Sequence, residues 1–182
     1  MGYTDLRQWI DQVDKLGELS RIDGADWDLE IGALTEVAGR GRGASAILFD
    51  NIKGYPAGRR VLVGMIESLK RAALTTNLPT DITREGFIAA WRERLNHPVL
   101  IPPRFVDRGP VMENVFTGKN IDVLSLPVPR WHDRDGGRYI GTAHVVITQD
   151  PDEGWVNMGV YRVMVHDRDR LALYISPGKH AR

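Results

Sequence analysis

The chain has 182 residues, with 24 Lys and Arg against 24 Asp and Glu, so its formal net charge at pH 7 is zero. That balance gives no electrostatic reason to expect a nucleic acid or an anionic membrane as partner. With no cysteine in the sequence, a disulfide framework, a thiolate nucleophile and a thiolate metal site are excluded, which fits a reducing compartment.

No apolar run approaches the roughly 18 residues that span a bilayer. The opening Met1-Gly2-Tyr3-Thr4-Asp5 carries neither the basic stretch nor the apolar core of a secretory signal. The expectation is a cytoplasmic globular protein. Thr4 is expected to cap a helix over residues 5–16, where Leu6, Trp9, Ile10, Val13 and Leu16 form one apolar stripe and Gly17 stops it. A short strand follows over 19–22. Asp26 or Asp28 caps a second helix that carries Leu29, Leu34, Val37 and Ala38 and closes at Gly39. The run Gly39-Arg40-Gly41-Arg42-Gly43 resembles a phosphate cradle. It lacks the spacing of the dinucleotide fingerprint and of the P-loop, and it follows a helix where those motifs follow a strand. A helix end plus a turn is the better reading.

Strands over 46–52 and 60–66 flank a turn at 53–58. Helices follow over 68–78 and from Asp81 or Thr83, the latter with Phe87, Ile88, Trp91 and Leu95 on one face. This first half reads as a mixed α/β lobe with helices covering a sheet. Pro98, Pro102, Pro103 and Pro110 then make a helix unworkable, and a lobe boundary is placed there. Beyond it the pattern is all β, with strands near 112–116, 140–148, 156–165 and 171–175. These are too few to close a barrel. The fold class is therefore α+β: a lobe over 1–110, then the opening of a larger β domain over 111–182.

The residues richest in chemistry lie at 157–182. Asn157, Arg162, Lys179, His180 and Gly-flanked backbone suit a phosphate-bearing ligand held through a metal ion. A turn centred between Arg168 and Asp169 would pair residues whose numbers sum to 337, setting Val165 against Ala172, Val163 against Tyr174 and Asn157 against His180. An amide oxygen beside an imidazole is a start for a cation site that needs further oxygen ligands. Strict alternation puts Arg162 on the face opposite Asn157 unless the strand bulges or twists near Gly159. From chemistry alone, a plain surface hairpin with a basic tail is the simpler reading. In Trp131-His132-Asp133-Arg134-Asp135-Gly136-Gly137, a turn is favoured over metal ligation. His97, His144 and His166 read as structural or exposed, and the five tryptophans as core or interface residues. No nucleophile elbow is present.

These residues, taken together, resemble the N-terminal part of the UbiD family of reversible decarboxylases. The resemblance rests on the opening helix, on Ala46-Ile47-Leu48-Phe49-Asp50-Asn51-Ile52-Lys53-Gly54-Tyr55-Pro56 and on Leu126-Pro127-Val128-Pro129-Arg130-Trp131-His132. It continues through Asp135-Gly136-Gly137-Arg138-Tyr139-Ile140-Gly141-Thr142. Its most specific part is residues 157–162 with Pro177-Gly178-Lys179-His180-Ala181-Arg182. The resemblance implies a flavin-binding split β-barrel beginning near residue 111, with prenylated FMN as cofactor. It implies Asn157 and His180 as ligands of a divalent ion, usually Mn2+, that bridges to the flavin phosphate. The Met158 carbonyl would meet K+ or Na+. Thr142, Gly159, Val160, Tyr161 and Lys179 would lie around the flavin, and Arg162 would orient the substrate carboxylate in the bidentate manner its fork allows.

The implied reaction is reversible decarboxylation of an aromatic, heteroaromatic or α,β-unsaturated acid, with a flavin prenyltransferase supplying the cofactor and a homo-oligomer as the longer protein. The third metal ligand and the acid/base glutamates of the family have no counterpart in these 182 residues. The expectation is thus a fragment that alone does not turn over. The other reading is a non-catalytic module that binds flavin or partners a longer subunit.

Overall fold

In the computed structural model, which describes residues 2–41, 44–99, 101–102 and 104–180, the first helix α1 (Leu6–Lys15) is capped by Asp5 and not by Thr4. The Asp5 carboxylate accepts the Gln8 N–H at 2.8 Å, and the Gln8 side-chain oxygen accepts the Thr4 N–H at 3.0 Å. This is a capping box displaced by one residue. A carboxylate accepts more strongly than a hydroxyl and suits the positive helix end, so the acid takes the position. The expected stripe holds: Trp9, Ile10 and Val13 are buried.

Strands β1 (Leu19–Asp23), β2 (Ala46–Asp50) and β3 (Val61–Val63) form one sheet in that order. Strand β3 is shorter than expected because Gly64 leaves it at φ +76°, in the left-handed region. The chain divides into two units: Met1–Arg21, Ala38–Leu48 and Leu62–Asn120 form the first, and Ile22–Val37, Phe49–Val61 and Ile121–Arg182 the second.

In the first unit Trp9, Ile10, Val13, Ala46, Leu48 and Leu74 form the core, with Tyr3, Leu16, Leu19, Leu62 and Met65 packed against it. Trp9 Nε1 donates to Thr75 Oγ1 at 3.0 Å, so the large indole is buried with its polar atom satisfied. Helix α2 (Glu30–Gly39) ends in this unit, and Arg42 and Gly43 of the glycine-arginine run lie outside the described residues. Helix α3 (Leu69–Thr75) is capped by Ser68, whose Oγ accepts the Arg71 N–H at 3.2 Å.

Arg71 itself is fully buried, which no periodicity argument foresaw. Its guanidinium donates to Glu18 Oε2 at 2.6 Å, to the Gly64 carbonyl at 2.8 Å and to the Ala44 carbonyl at 2.7 Å. Ser68 Oγ donates to the same Glu18 oxygen at 2.7 Å. A buried cation is tolerated here because each arm of its fork has an acceptor.

Thr83, not Asp81, caps α4 (Arg84–Asn96). The expected apolar face of α4 meets no core: none of its residues is buried, and Ile88 and Leu95 are 52% and 69% exposed. The expected strand at 112–116 is also absent. Pro110–Met112 instead forms a short 3-10 turn behind Gly109, and Val111, Met112, Val115 and Phe116 are exposed. Proline lacks the N–H a strand ladder needs and favours the first position of a helical turn.

In the second unit the start of α2 departs from expectation. Leu29 lies outside the helix with φ +69°, and Ile31 and Gly32 are the buried residues, while Val37 is exposed. Asp26 does not cap the first turn; its carboxylate accepts the Asp28 N–H at 2.9 Å. A Cβ at Gly32 would lie 1.9 Å from the Trp131 carbonyl oxygen, so only glycine permits this approach.

The two long strands expected over 140–148 and 156–165 each break in two. The first becomes β4 (Arg138–Gly141) and β5 (Val145–Gln149), and the second β6 (Val156–Val160) and β7 (Val163–Val165). With β8 (Leu171–Leu173) they form two separate sheets, β4-β7-β8 and β5-β6. At the first break the His144 ring occupies the space a Cβ on Gly141 would need, 2.0 Å from Nδ1. At the second, the chain leaves one sheet and enters the other across Tyr161 and Arg162. The hairpin β5-β6 turns Val145, Ile147, Val156, Met158 and Val160 outward, all exposed.

The hairpin register also differs from the expected one. Val163 faces Leu173, Met164 faces Ala172 and Val165 faces Leu171, so paired numbers sum to 336. The loop is centred on Arg168, with His166 N–H donating to the Arg170 carbonyl at 3.0 Å and Asp169 N–H to Asp167 Oδ1 at 3.2 Å. Asp167 and Arg170 close it as an ion pair. A loop with an odd number of residues moves the register by one, and every partner with it. The described residues are thus mixed α/β with three small sheets. Among the described residues, no helix is long and apolar enough to cross a membrane.

Candidate functional site

A cavity of about 720 Å³ opens in the second unit, within the range of small-molecule sites. Its walls come from three sources. Strands β4, β7 and β8 supply Tyr139, Met164, Ala172 and Leu173, and the crossover between β6 and β7 supplies Val160, Tyr161 and Arg162; Tyr174, Ser176 and Lys179 follow β8. Tyr161 and Arg162 are consecutive yet both line the cavity, because neither belongs to a strand and alternation does not bind them. This change of sheet frees Arg162 from the alternation of β6 and brings it to the cavity, while Asn157 stays in β6 outside the lining.

At two points beside the wall a glycine leaves room for a neighbouring side chain. A Cβ on Gly159 would lie 2.5 Å from the ring of Tyr161, and one on Gly137 would lie 3.0 Å from Met164 Sδ. Tyr139 is held through its backbone: its N–H donates to the Pro129 carbonyl at 3.0 Å, and its carbonyl accepts from Trp131 Nε1 at 3.2 Å. Its neighbour Arg138 lies over the Trp27 ring, 3.9 Å from the centroid. Arg138 also donates to the Val128 carbonyl at 2.7 Å and to the Tyr55 hydroxyl. This clamp fixes the start of β4.

Among the described residues, two cations reach the cavity, Arg162 and Lys179, and no acidic side chain lines it. Among the described residues, neither side chain has a hydrogen-bond or ion-pair partner. A concave surface with two unneutralised cations among three tyrosines has the chemistry to hold an aromatic anion.

Of the residues singled out in the sequence, the structure brings Val160, Tyr161, Arg162 and Lys179 to this cavity. Thr142 sits in the bend after β4, and Asn157, Met158 and Gly159 lie in β6, outside the lining. Asn157 does not face His180. It faces Thr148, and its Nδ2 donates to Thr148 Oγ1 at 3.4 Å, leaving the amide oxygen available. The exposed His180 ring stands edge-on to Trp155, with centroids 6.3 Å apart, which brings it to the start of β6 by a route other than strand pairing. Ala181 and Arg182 lie outside the described residues. Among those described, no three His, Asp or Glu side chains gather as a metal site.

The 131–137 cluster is a turn, with the His132 N–H donating to Asp135 Oδ2 at 3.0 Å. His97 ends α4 beside Glu93, 3.8 Å away, and His166 belongs to the β7-β8 loop. The Nδ1 of His144 is buried without a partner among the described residues. Sequence reasoning missed Tyr139, Met164, Ala172, Tyr174 and Ser176. Correct hairpin parity would have paired Met164 with Ala172 and placed them on one row.

The fold and cavity define a mixed α/β protein whose β-rich unit carries a cavity lined by two cations and three tyrosines. The 3-octaprenyl-4-hydroxybenzoate carboxy-lyase N-terminal domain of the UbiD family matches residues 10–91, and the Rift-related domain of the same carboxy-lyase matches residues 104–182. The chain belongs to the UbiD family of decarboxylases and corresponds to their N-terminal portion. It is 37% identical to the pyrrole-2-carboxylic acid decarboxylase of Pseudomonas aeruginosa, across 97% of this chain and 37% of that relative. It is 33% identical to a phenolic acid decarboxylase of Streptomyces sp., across 99% of this chain and 38% of the relative. The closed form of the Sedimentibacter hydroxybenzoicus vanillic acid decarboxylase superposes with a TM-score of 0.84 at 31% identity, covering 95% of this chain and 37% of that one. An evolved dimeric form of the UbiD-class enzyme HmfF from Pelotomaculum thermopropionicum, in complex with prenylated FMN, superposes at 0.79 with 32% identity, covering 96% and 39%. The chain therefore spans little more than a third of the length of these relatives.

Proposed function

We propose that this chain forms one wall of a prenylated-FMN site in a reversible decarboxylase of aromatic, heteroaromatic or α,β-unsaturated carboxylic acids. The observation that carries the reading is the pair of cations, Arg162 and Lys179, that have no side-chain partner among the described residues and lie on one tyrosine-lined cavity. In a family that decarboxylates acids, such a cavity suits a carboxylate and a flavin. Arg162 binds and orients the substrate carboxylate through its planar fork. Thr142, Met158, Gly159, Val160, Tyr161, Lys179 and His180 surround the flavin. Prenylated FMN, when bound, supplies the electron sink for loss of carbon dioxide.

The donor set fits the implied metal in part. The free Asn157 amide oxygen and the His180 imidazole are suitable ligands for Mn2+, and the Met158 carbonyl suits K+ or Na+. Two side chains leave most of a six-coordinate shell to the flavin phosphate, water and other donors. In this reading the β-rich part, from about residue 111, belongs to a split β-barrel, the preceding 1–110 form a separate lobe, the longer protein is a homo-oligomer, and a flavin prenyltransferase supplies the cofactor.

One observation favours a second reading, a non-catalytic flavin-binding or partner-subunit module: among the described residues no carboxylic acid lines the cavity, so the protonating carboxyl group that the family likeness implies is not among its walls. The two readings are separated by co-producing the full-length protein with a flavin prenyltransferase and assaying carbon dioxide release from pyrrole-2-carboxylate and 4-hydroxybenzoate: release supports the decarboxylase, and its absence the non-catalytic module. The site assignment is tested by titrating FMN with and without Mn2+. Asn157→Ala and His180→Ala are expected to abolish the Mn2+-dependent gain in affinity. Unchanged binding in both variants would overturn it.

A further inference from the structure

The floor of the cavity is a single cross-strand row. Tyr139 on β4 is paired with Met164 on β7, and Met164 is paired with Ala172 on β8. All three line the cavity. Three adjacent strands span about 10 Å across a sheet, the length of a fused two- or three-ring system.

Along that row the side chains fall in size from a phenol ring through a thioether to a single methyl group. The tall end is rigid, since backbone bonds to Pro129 and Trp131 hold Tyr139 and the Arg138 clamp stands beside it. The middle is adaptable but confined, since Met164 Sδ lies where Gly137 has no Cβ. Thioether sulfur is polarizable and packs well against aromatic rings. The low end is open only because residue 172 is alanine. Arg162 and Lys179 border the same space and supply the charge.

We infer that the row Tyr139–Met164–Ala172 is the floor on which the flat ring of an aromatic anion rests, and that Ala172 sets the ring size the cavity admits. The inference rests on the reading that this cavity receives a flavin or an aromatic acid. It adds three residues that this reading leaves without a role, and it makes Ala172 a determinant of specificity. Ring stacking needs a flat support with no side chain rising through it, and a row that descends to a methyl group provides one. A larger residue at position 172 would rise beside Met164 and shorten the floor from its open end.

The test uses two probes that differ in ring size, FMN and 4-hydroxybenzoate, titrated into the wild-type chain and Ala172→Phe, with near-ultraviolet circular dichroism to verify folding. A single misplaced methylene in a hydrophobic pocket changes discrimination by about tenfold or more. Ala172→Phe is therefore expected to weaken FMN at least about tenfold while 4-hydroxybenzoate loses much less. If Ala172→Phe does not fold, Ala172→Val carries the test by the same criterion, since β-branched residues suit a strand.

Equal affinities in variant and wild type, or equal losses for the two probes, would overturn the inference and leave the proposed function standing. Failure of both probes to bind the wild type would overturn the proposed function together with the inference.

Discussion

The ring of Tyr161 lies over the Cα of Gly159, so close that a methyl group there would come within 2.5 Å of it. The contact is with the outer end of the ring, and Tyr161 is half-buried. Gly159→Ala is therefore expected to turn the ring aside rather than to strain the backbone. Its cost in stability should stay below about 1 kcal/mol, while FMN affinity falls because a wall of the cavity has moved. Combining it with Tyr161→Ala removes the clash, so the effects on affinity should be non-additive. Thermal melts and FMN titration of both single variants and the double variant check this.

Glu18 and Arg71 give the largest expected stability change. Arg71 is fully buried, and Glu18 Oε2 is its only carboxylate partner among the described residues. Glu18→Ala leaves the guanidinium uncompensated and should cost about 3–5 kcal/mol. Glu18→Gln keeps an acceptor and should cost less. Urea denaturation of the two variants, compared at equal m-value, decides it.

Arg138 is held by geometry as much as by charge. Lysine cannot reproduce a fork that donates to Val128 and Tyr55 while lying over Trp27. Arg138→Lys should destabilise the chain by about 1–3 kcal/mol, the cost of unsatisfied buried acceptors and a lost cation–π contact. A change in tryptophan fluorescence should accompany it, and Trp27→Phe should abolish that change.

The Arg170 guanidinium, hydrogen-bonded to Asp167, holds that carboxyl well below the usual carboxylate range. Its folded pKa is thus depressed relative to the unfolded chain, whose ordinary value is near 3.9. The stabilisation of the β7-β8 loop is fully present above that ordinary value and is lost as pH falls through the lower folded one. Both groups are exposed, so salt should weaken the effect. Carboxyl carbon chemical shifts should show Asp167 still charged at a pH below the ordinary aspartate value. In Arg170→Ala the Asp167 transition should return to the ordinary range.

Much of the architecture was readable in advance. The first helix announces itself through Trp9, Ile10 and Val13, and the caps at Ser68 and Thr83 follow from side chains able to accept a backbone N–H. What escaped the sequence is set by contacts distant along the chain. Glu18 and Arg71 are 53 positions apart and show no periodic signal before they meet. The interruption at Tyr161 and Arg162 escaped because residues 156–165 read as one strand, although the apolar alternation moves from even positions (Val156, Met158, Val160) to odd ones (Val163, Val165) across it. The cavity was half legible: Arg162 and Lys179 were named for their charge and Val160 and Tyr161 through a family likeness, while Ala172 depended on a register that one extra loop residue shifts.

That interruption has an experimental consequence. Tyr161 and Arg162 form a two-residue island of backbone between two hydrogen-bonded ladders, β5-β6 on one side and β7-β8 on the other. Their amide protons should exchange with deuterated solvent far sooner than those of the flanking strands. Any ligand that closes over Arg162 should slow both. The chain thus carries its own isotopic gauge of occupancy, readable without dye, label or turnover.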